Sequence, residues 1–225
     1  MKIAIIGAGA MGSLYGAKLS VNPDNDVHLL DIWKEHIDAI NANGLQMEEG
    51  GHLLLYRNLR GHTSARTVGD CDLALVFVKS TQTRKAIEAH AAVFGPDTVA
   101  LTLQNGLGNI EQISSVIGPE RIIAGTTAHG ATMLSAGKIR HAGAGKTVIG
   151  ELDGSESGRI KRTAALLEKA GMKTAVSGKI SGLLWDKLLV NVGINALTGI
   201  TKLHNGELLD YPEIETLLEK AVSEG

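Results

Sequence analysis

Residues 183–198 read Leu-Leu-Trp-Asp-Lys-Leu-Leu-Val-Asn-Val-Gly-Ile-Asn-Ala-Leu-Thr, and in this stretch Lys187, Asn191 and Asn195 recur at i, i+4 and i+8. In a helix starting near Ile180 that spacing lines them along one face. Apolar residues fill most of the remaining circumference, so the helix is expected to be largely buried. A lysine there is costly unless it faces a wet cleft or a partner. A desolvated lysine can shed its proton at neutral pH, so Lys187 can be a general acid toward a forming alkoxide. The two asparagines can hydrogen-bond a small polar substrate. The other reading is a lysine snorkelling to the surface, with both asparagines satisfied by backbone. Two more polar groups follow apolar runs: Lys79-Ser80 after Asp72–Val78, and Gln104-Asn105-Gly106 after Thr98–Leu103.

Chemistry at strand ends needs a sheet to present it, and the N-terminus supplies the first strand. Ile3, Ile5 and Ile6 belong to a short apolar run typical of a parallel strand buried on both faces. It leads directly into Gly7-Ala8-Gly9-Ala10-Met11-Gly12, a G-x-G-x-x-G turn, and Ser13–Leu19 reads as a helix. Gly7 permits the tight turn, Gly9 lets a diphosphate approach the backbone, and Gly12 lets helix and strand pack closely. The diphosphate would sit on unpaired N–H groups at the helix N-terminus. The second strand, Asp26–Leu30, ends at Asp31, about 20 residues after the last motif glycine, where an acid can bond both ribose hydroxyls. A carboxylate there repels a 2′-phosphate and favours NAD over NADP. Asp31 can also cap the helix that starts near Ile32 or Trp33, and Lys34 is close enough in sequence to reach a phosphate.

Strands and helices alternate after that. Trp33–Asn43 reads as a helix, and Gly44–Met47 with His52–Leu55 as a hairpin around Glu49-Gly50-Gly51. Asp72–Val78, Thr98–Leu103 and Arg121–Ala124 read as strands; Thr81–Val93, Asn109–Ile117 and the amphipathic Ser155–Ala170 read as helices; Lys173–Val176 reads as a closing strand. This order predicts an α/β fold with a doubly wound parallel sheet. Thr127–Ile149 has glycines and short strands without a helix signal, and is expected to form a small antiparallel extension of that sheet. Gly143-Ala-Gly-Lys146-Thr147 imitates the end of a P-loop, but Arg140 stands where the first glycine belongs and a strand follows where a helix is required.

Composition excludes several classes. The chain has 225 residues, 20% of them charged, with a net charge of -2, and this balance argues against a nucleic-acid partner, which wants a basic face. Aromatic residues make up 3%, too few for a base-stacking platform. Cys71 is the only cysteine, so there is no internal disulfide or thiolate metal cluster, and a reducing, cytoplasmic setting is expected. His129, His141 and His204 are scattered in sequence without metal-ligand spacing, so no metal is expected. No signal peptide and no membrane span are read from the chain.

Taken in order, these segments resemble the ketopantoate reductases (2-dehydropantoate 2-reductases). The likeness lies in Gly7–Gly12, in Val-Phe-Val-Lys79-Ser-Thr-Gln, in Leu-Gln-Asn105-Gly-Leu-Gly and in Gly125-Thr-Thr-Ala-His129-Gly. It continues through Leu-Trp185-Asp-Lys187-Leu-Leu-Val-Asn191-Val-Gly-Ile-Asn195-Ala-Leu-Thr and Asn205-Gly-Glu207-Leu. The resemblance implies a Rossmann dinucleotide-binding domain over residues 1–178 and an all-α substrate or dimerisation domain beginning at 179–225. It implies reduction of the ketone of a small 2-keto acid by NADP(H), toward pantothenate and coenzyme A. Carried over, Lys187 is the general acid, Lys79 and Asn105 flank nicotinamide and substrate, and Asn191 and Asn195 bind substrate.

Relatives of this kind continue through a longer helical domain, so the C-terminal domain is expected to be truncated here. Apolar faces on its helices would then be left for the rest of that domain, or for a second subunit in a homodimer. Asp31 departs from what NADPH would prefer, and Asp31–Ile40 is similar to relatives that use NAD(H) as D-2-hydroxyacid dehydrogenases. That dehydrogenase activity is one alternative function. A non-catalytic dinucleotide-binding protein is the other, although it would not need a buried proton donor.

Overall fold

Side-chain alternation along the apolar runs explains the architecture. The computed structural model describes residues 1–224, and the first run forms β1 (Lys2–Ile6). Ile3 and Ile5 point to one face of the sheet and Ala4 and Ile6 to the other, and all four are buried. Strands β2 (Asp26–Leu30), β6 (Leu73–Val76) and β7 (Val99–Thr102) repeat this two-sided pattern. Two apolar layers result, one on each face of the sheet.

Between these strands the chain adds α1 (Ala10–Leu19), α2 (Lys34–Asn43), β3 (Leu45–Glu49), β4 (His52–Tyr56), β5 (Arg60–His62) and α3 (Thr83–Ala89). After β7 come α4 (Asn109–Ile117), β8 (Ile122–Thr127), β9 (Gly130–Ser135), β10 (Lys138–Gly143), β11 (Thr147–Glu151), α5 (Gly158–Lys169) and β12 (Thr174–Val176). The main sheet has eight strands in the order β12-β11-β8-β7-β6-β1-β2-β5. All its pairs are parallel except β8 with β11. One apolar layer includes Leu14 and Tyr15 of α1 with Ile160 and Leu167 of α5; the other includes Ile87 of α3 with Ile113 and Ile117 of α4. This is a Rossmann-like, doubly wound mixed sheet. Its order reverses between β1 and β6, so ligands are expected outside the carboxyl ends of these two strands.

The expected antiparallel extension needs correction. Only β11 extends the main sheet in antiparallel sense. Strands β9 and β10 leave it and join the β3–β4 hairpin in a separate four-stranded sheet, β4-β3-β10-β9. The join is a parallel pairing of β10 with β3, Lys138 opposite Gln46. Leu45, Met47 and Ile139 of this second sheet pack into the layer that holds α1. The hairpin turns at Gly50 and Gly51, whose φ values of 56° and 82° suit glycine. The helix expected over Thr81–Val93 is also shorter. Short 3-10 turns at Ser80–Gln82 and Ala91–Val93 flank α3.

By contacts the chain divides into two units. The first comprises Met1–Gln104 with Gly108–Ile180; the second comprises Asn105–Leu107 with the chain from Ser181 onward. The second is helical: α6 (Ile180–Thr201), which begins in the first unit, a 3-10 segment at Asn205–Asp210, and α7 (Pro212–Glu224). Gly193 of α6 is buried against Leu218 and Val222 of α7, and Leu208 is also buried. Among the described residues no helix is long and apolar enough to cross a membrane.

Candidate active site

At the carboxyl end of β1 the glycine turn has the geometry its spacing implies. Gly7 has φ +94°, and a β-carbon there would meet the backbone of Phe77 and Val78 at 2.7–2.9 Å. A β-carbon on Gly12 would lie 1.9 Å from the Gly7 carbonyl oxygen, so α1 starts hard against the turn. Gly9 differs: a β-carbon there would have no heavy atom within 4 Å. Gly9 is exposed, is the N-cap of α1, and has no side chain to satisfy the first N–H groups of that helix. Ala8 is buried, while Ala10 and Met11 are half-buried beside it. The turn is therefore an open cradle of backbone donors at the positive end of a helix dipole, which suits a diphosphate.

Asp31 follows β2 along the same edge and is half-buried. It is not the N-cap of α2, which is Trp33; its Oδ1 instead accepts the Trp33 N–H at 2.9 Å, closing a local turn. Lys34, considered as a phosphate ligand, pairs with Asp38 at 2.5 Å. Behind this edge His36 is fully buried, with the exposed Trp33 stacked on it at a centroid distance of 5.2 Å. Sequence reading passed over His36 and Ser13. Their signal was weak: two polar residues in positions that helical periodicity assigns to the core.

Lys79 leaves β6 on the adjoining strand end and is exposed. The loops after β6 and β7 are clamped by Gln104, whose Nε2 donates to the Val78 carbonyl at 2.6 Å and to Thr83 Oγ1 at 2.8 Å. Thr83 donates in turn to Asn109 Oδ1 at 3.0 Å. The first unit thus brings Gly7–Gly12, Asp31 and Lys79 to one sheet edge. Asn105, which follows Gln104, is exposed and groups by contacts with the second unit.

In that unit, Lys187 and Asn191 are half-buried and Asn195 is exposed, along one face of α6. Burial pushes the Lys187 ammonium below the usual lysine value of 10.5. Trp185, Val190, Val192, Ile200, Leu217 and Val222 are exposed apolar residues of α6 and α7.

The histidines are less scattered than their sequence positions suggest. His129 Nδ1 lies 3.2 Å from His141 Nε2, and His141 Nδ1 lies 2.5 Å from Glu49, which also binds Lys18 at 2.8 Å. Burial, then the neighbouring His141 and Lys18, lowers the His129 pKa. Among the described residues no group of three or more His, Cys, Asp or Glu side chains is placed to hold a metal ion. The lone thiol, Cys71, is buried with Sγ 3.5 Å from the Gly69 carbonyl, and burial pushes its pKa up to about 11.

Residues 3–154 match the family described as ketopantoate reductase PanE/ApbA, and residues 179–225 match its C-terminal domain. The chain is 36% identical over its whole length to a 2-dehydropantoate 2-reductase of Halobacterium salinarum, of which it covers 74%. The structure of a PanE/ApbA family ketopantoate reductase from Ralstonia eutropha superposes with a TM-score of 0.88 at 31% identity, over 100% of this chain and 72% of that one. A ternary structure of D-mandelate dehydrogenase with NADH and anilino(oxo)acetate superposes with a TM-score of 0.90 at 29% identity, over 97% of this chain and 70% of that one.

Proposed function

This chain belongs to the ketopantoate reductase family, and from that premise we propose that it reduces the ketone of 2-dehydropantoate to (R)-pantoate with a nicotinamide dinucleotide. It is an NAD(P)-dependent oxidoreductase of the ketopantoate reductase type, serving pantothenate and coenzyme A formation. The observation that carries the proposal is the open cradle at Gly9, set at the strand-order reversal and bare of any side chain. The relatives named 2-dehydropantoate 2-reductase support this reaction over other 2-keto acids.

When bound, the dinucleotide supplies a hydride to the keto carbon. The residues of this chain do the rest. Backbone N–H groups of the Gly7–Gly12 turn hold the diphosphate. Lys79 and Asn105 would flank the nicotinamide and the substrate, and Asn191 and Asn195 would hydrogen-bond the substrate. Lys187 gives its proton to the carbonyl oxygen as negative charge grows there, and its positive charge stabilises the alkoxide before transfer. Its lowered pKa supports this role, because a weaker hold on the proton makes a better acid near neutral pH.

For the dinucleotide we propose NADH over NADPH. The support is Asp31, whose carboxylate would repel a 2′-phosphate. The test is turnover of 2-dehydropantoate with NADH and NADPH side by side. Turnover favouring NADH supports both parts. Turnover favouring NADPH refutes the choice of dinucleotide alone. Turnover with another 2-keto acid and none with 2-dehydropantoate refutes the substrate.

A further inference from the structure

A chain of hydrogen bonds runs through the buried interior directly behind the glycine turn. The backbone N–H of Gly137, in the turn between β9 and β10, donates to His36 Nδ1 at 2.9 Å. That bond requires a lone pair on Nδ1, so the ring is neutral and its proton is on Nε2. His36 Nε2 lies 3.2 Å from Ser13 Oγ, which donates to the Ala8 carbonyl at 2.8 Å. The direction of every bond is then fixed: Gly137 to His36, His36 to Ser13, Ser13 to Ala8. His36 and Ser13 are both 0% exposed, so bulk solvent does not reach these groups.

The far end of the chain falls on the peptide between Ala8 and Gly9. In a trans peptide the C=O and the following N–H point in opposite directions. Holding the Ala8 carbonyl on Ser13 therefore turns the Gly9 N–H away from Ser13, at a residue where an added β-carbon would meet nothing within 4 Å. Trp33 stacks on the same imidazole, and its N–H is held by Asp31. One buried ring thus braces the diphosphate turn and the ribose-side turn together.

We propose that His36, acting through Ser13, is a positioning residue that sets the orientation of the Ala8–Gly9 peptide for dinucleotide binding. This rests on the reading that the glycine turn holds the dinucleotide. Burial supports it by lowering the His36 pKa and keeping the ring neutral, against the opposing pulls of Asp31 and of the Ala8 backbone carbonyl.

The test is NADH affinity, measured by the fluorescence of the bound dinucleotide without substrate, for wild type, Ser13→Ala, His36→Phe, His36→Gln and the double variant Ser13→Ala/His36→Phe. The thermal midpoint of each is measured separately. Phenylalanine keeps the ring and its stack on Trp33 but removes both hydrogen bonds; glutamine keeps one donor and one acceptor. Both Ser13→Ala and His36→Phe are expected to weaken NADH binding about tenfold. The double variant should be no weaker than the weaker single one, because both act through one chain of bonds, and His36→Gln should recover most of the affinity. Single-variant affinities within about twofold of wild type would overturn the proposal. So would losses that multiply in the double variant, or that track the thermal midpoint with no recovery by glutamine. If wild type itself binds neither NADH nor NADPH, it is the dinucleotide reading that fails.

Discussion

The carbonyl oxygen of Gly7 occupies the space that a β-carbon on Gly12 would need, 1.9 Å from it. A β-carbon on Gly9, two residues from Gly7, would meet nothing within 4 Å. The glycines of one motif therefore fail in different ways when replaced. Gly12→Ala should cost stability, about 3 kcal/mol or roughly 6–12 °C in Tm. Gly9 has φ -62°, which alanine adopts without strain, so Gly9→Ala should leave Tm within about 2 °C. Its methyl group would instead obstruct the diphosphate and weaken NADH binding at least about tenfold. Thermal melts and NADH titrations of both variants check this; a Gly9→Ala protein with wild-type affinity would rule out the cradle.

Asp31→Asn separates charge from turn geometry. Asparagine can still accept the Trp33 N–H through its side-chain oxygen, so the local turn should persist. Loss of the charge-assisted bonds to the ribose should raise the NADH Kd about tenfold, while loss of repulsion improves NADPH binding. The ratio of the two Kd values is the readout. An unchanged ratio means that Asp31 does not select the dinucleotide.

Lys187→Ala should lower kcat by about 10²- to 10⁴-fold, with NADH affinity within about twofold of wild type. Reduction needs the protonated ammonium, so the wild-type rate should fall as pH rises through the pKa of Lys187. Because burial lowers that pKa, the fall should begin below the ordinary lysine value of 10.5. A rate that is flat across this range, or an alanine variant with full turnover, excludes Lys187 as the acid.

Burial holds His28, His36, His62, His90 and His129 below their ordinary pKa of 6.5 in the folded chain. The unfolded chain then binds more protons in this range. Their contribution to stability is complete above 6.5 and is lost as pH falls from there through the folded values. Glu151 acts lower: burial raises its pKa, but Arg159 and Ser157 outweigh that and hold it below 4.5. Melting curves should show Tm dropping between about pH 7 and 5, ahead of any carboxylate effect. A Tm constant over that interval would contradict the neutral, buried state of these rings.

The parallel strands were legible because burial on both faces leaves a near-continuous apolar run, as in Ile3–Ile6 and Leu73–Val76. The glycine turn was legible because each glycine answers a local steric demand. The second sheet was not. Nothing in the periodicity of Lys138–Gly143 states that its partner is Gln46, almost a hundred residues earlier, rather than the neighbouring main sheet. The same limit hid His36, whose partners Ser13 and Gly137 lie 23 and 101 residues away along the chain. A buried histidine advertises a missing partner in sequence without naming it. The expected helix over Thr81–Val93 was too long at both ends, since 3-10 turns share its spacing of apolar residues.

Cys71, unremarkable as chemistry, makes the chain its own stopwatch. It is the sole thiol, buried and pushed from its ordinary 9.0 up to about 11, so native molecules present almost no thiolate to an alkylating reagent at neutral pH. Modification must wait for the structure around it to open, and its rate then counts openings. Any dinucleotide that slows the count has bound the closed form, and the slowing converts directly to its binding free energy without a substrate, a turnover or an absorbance change.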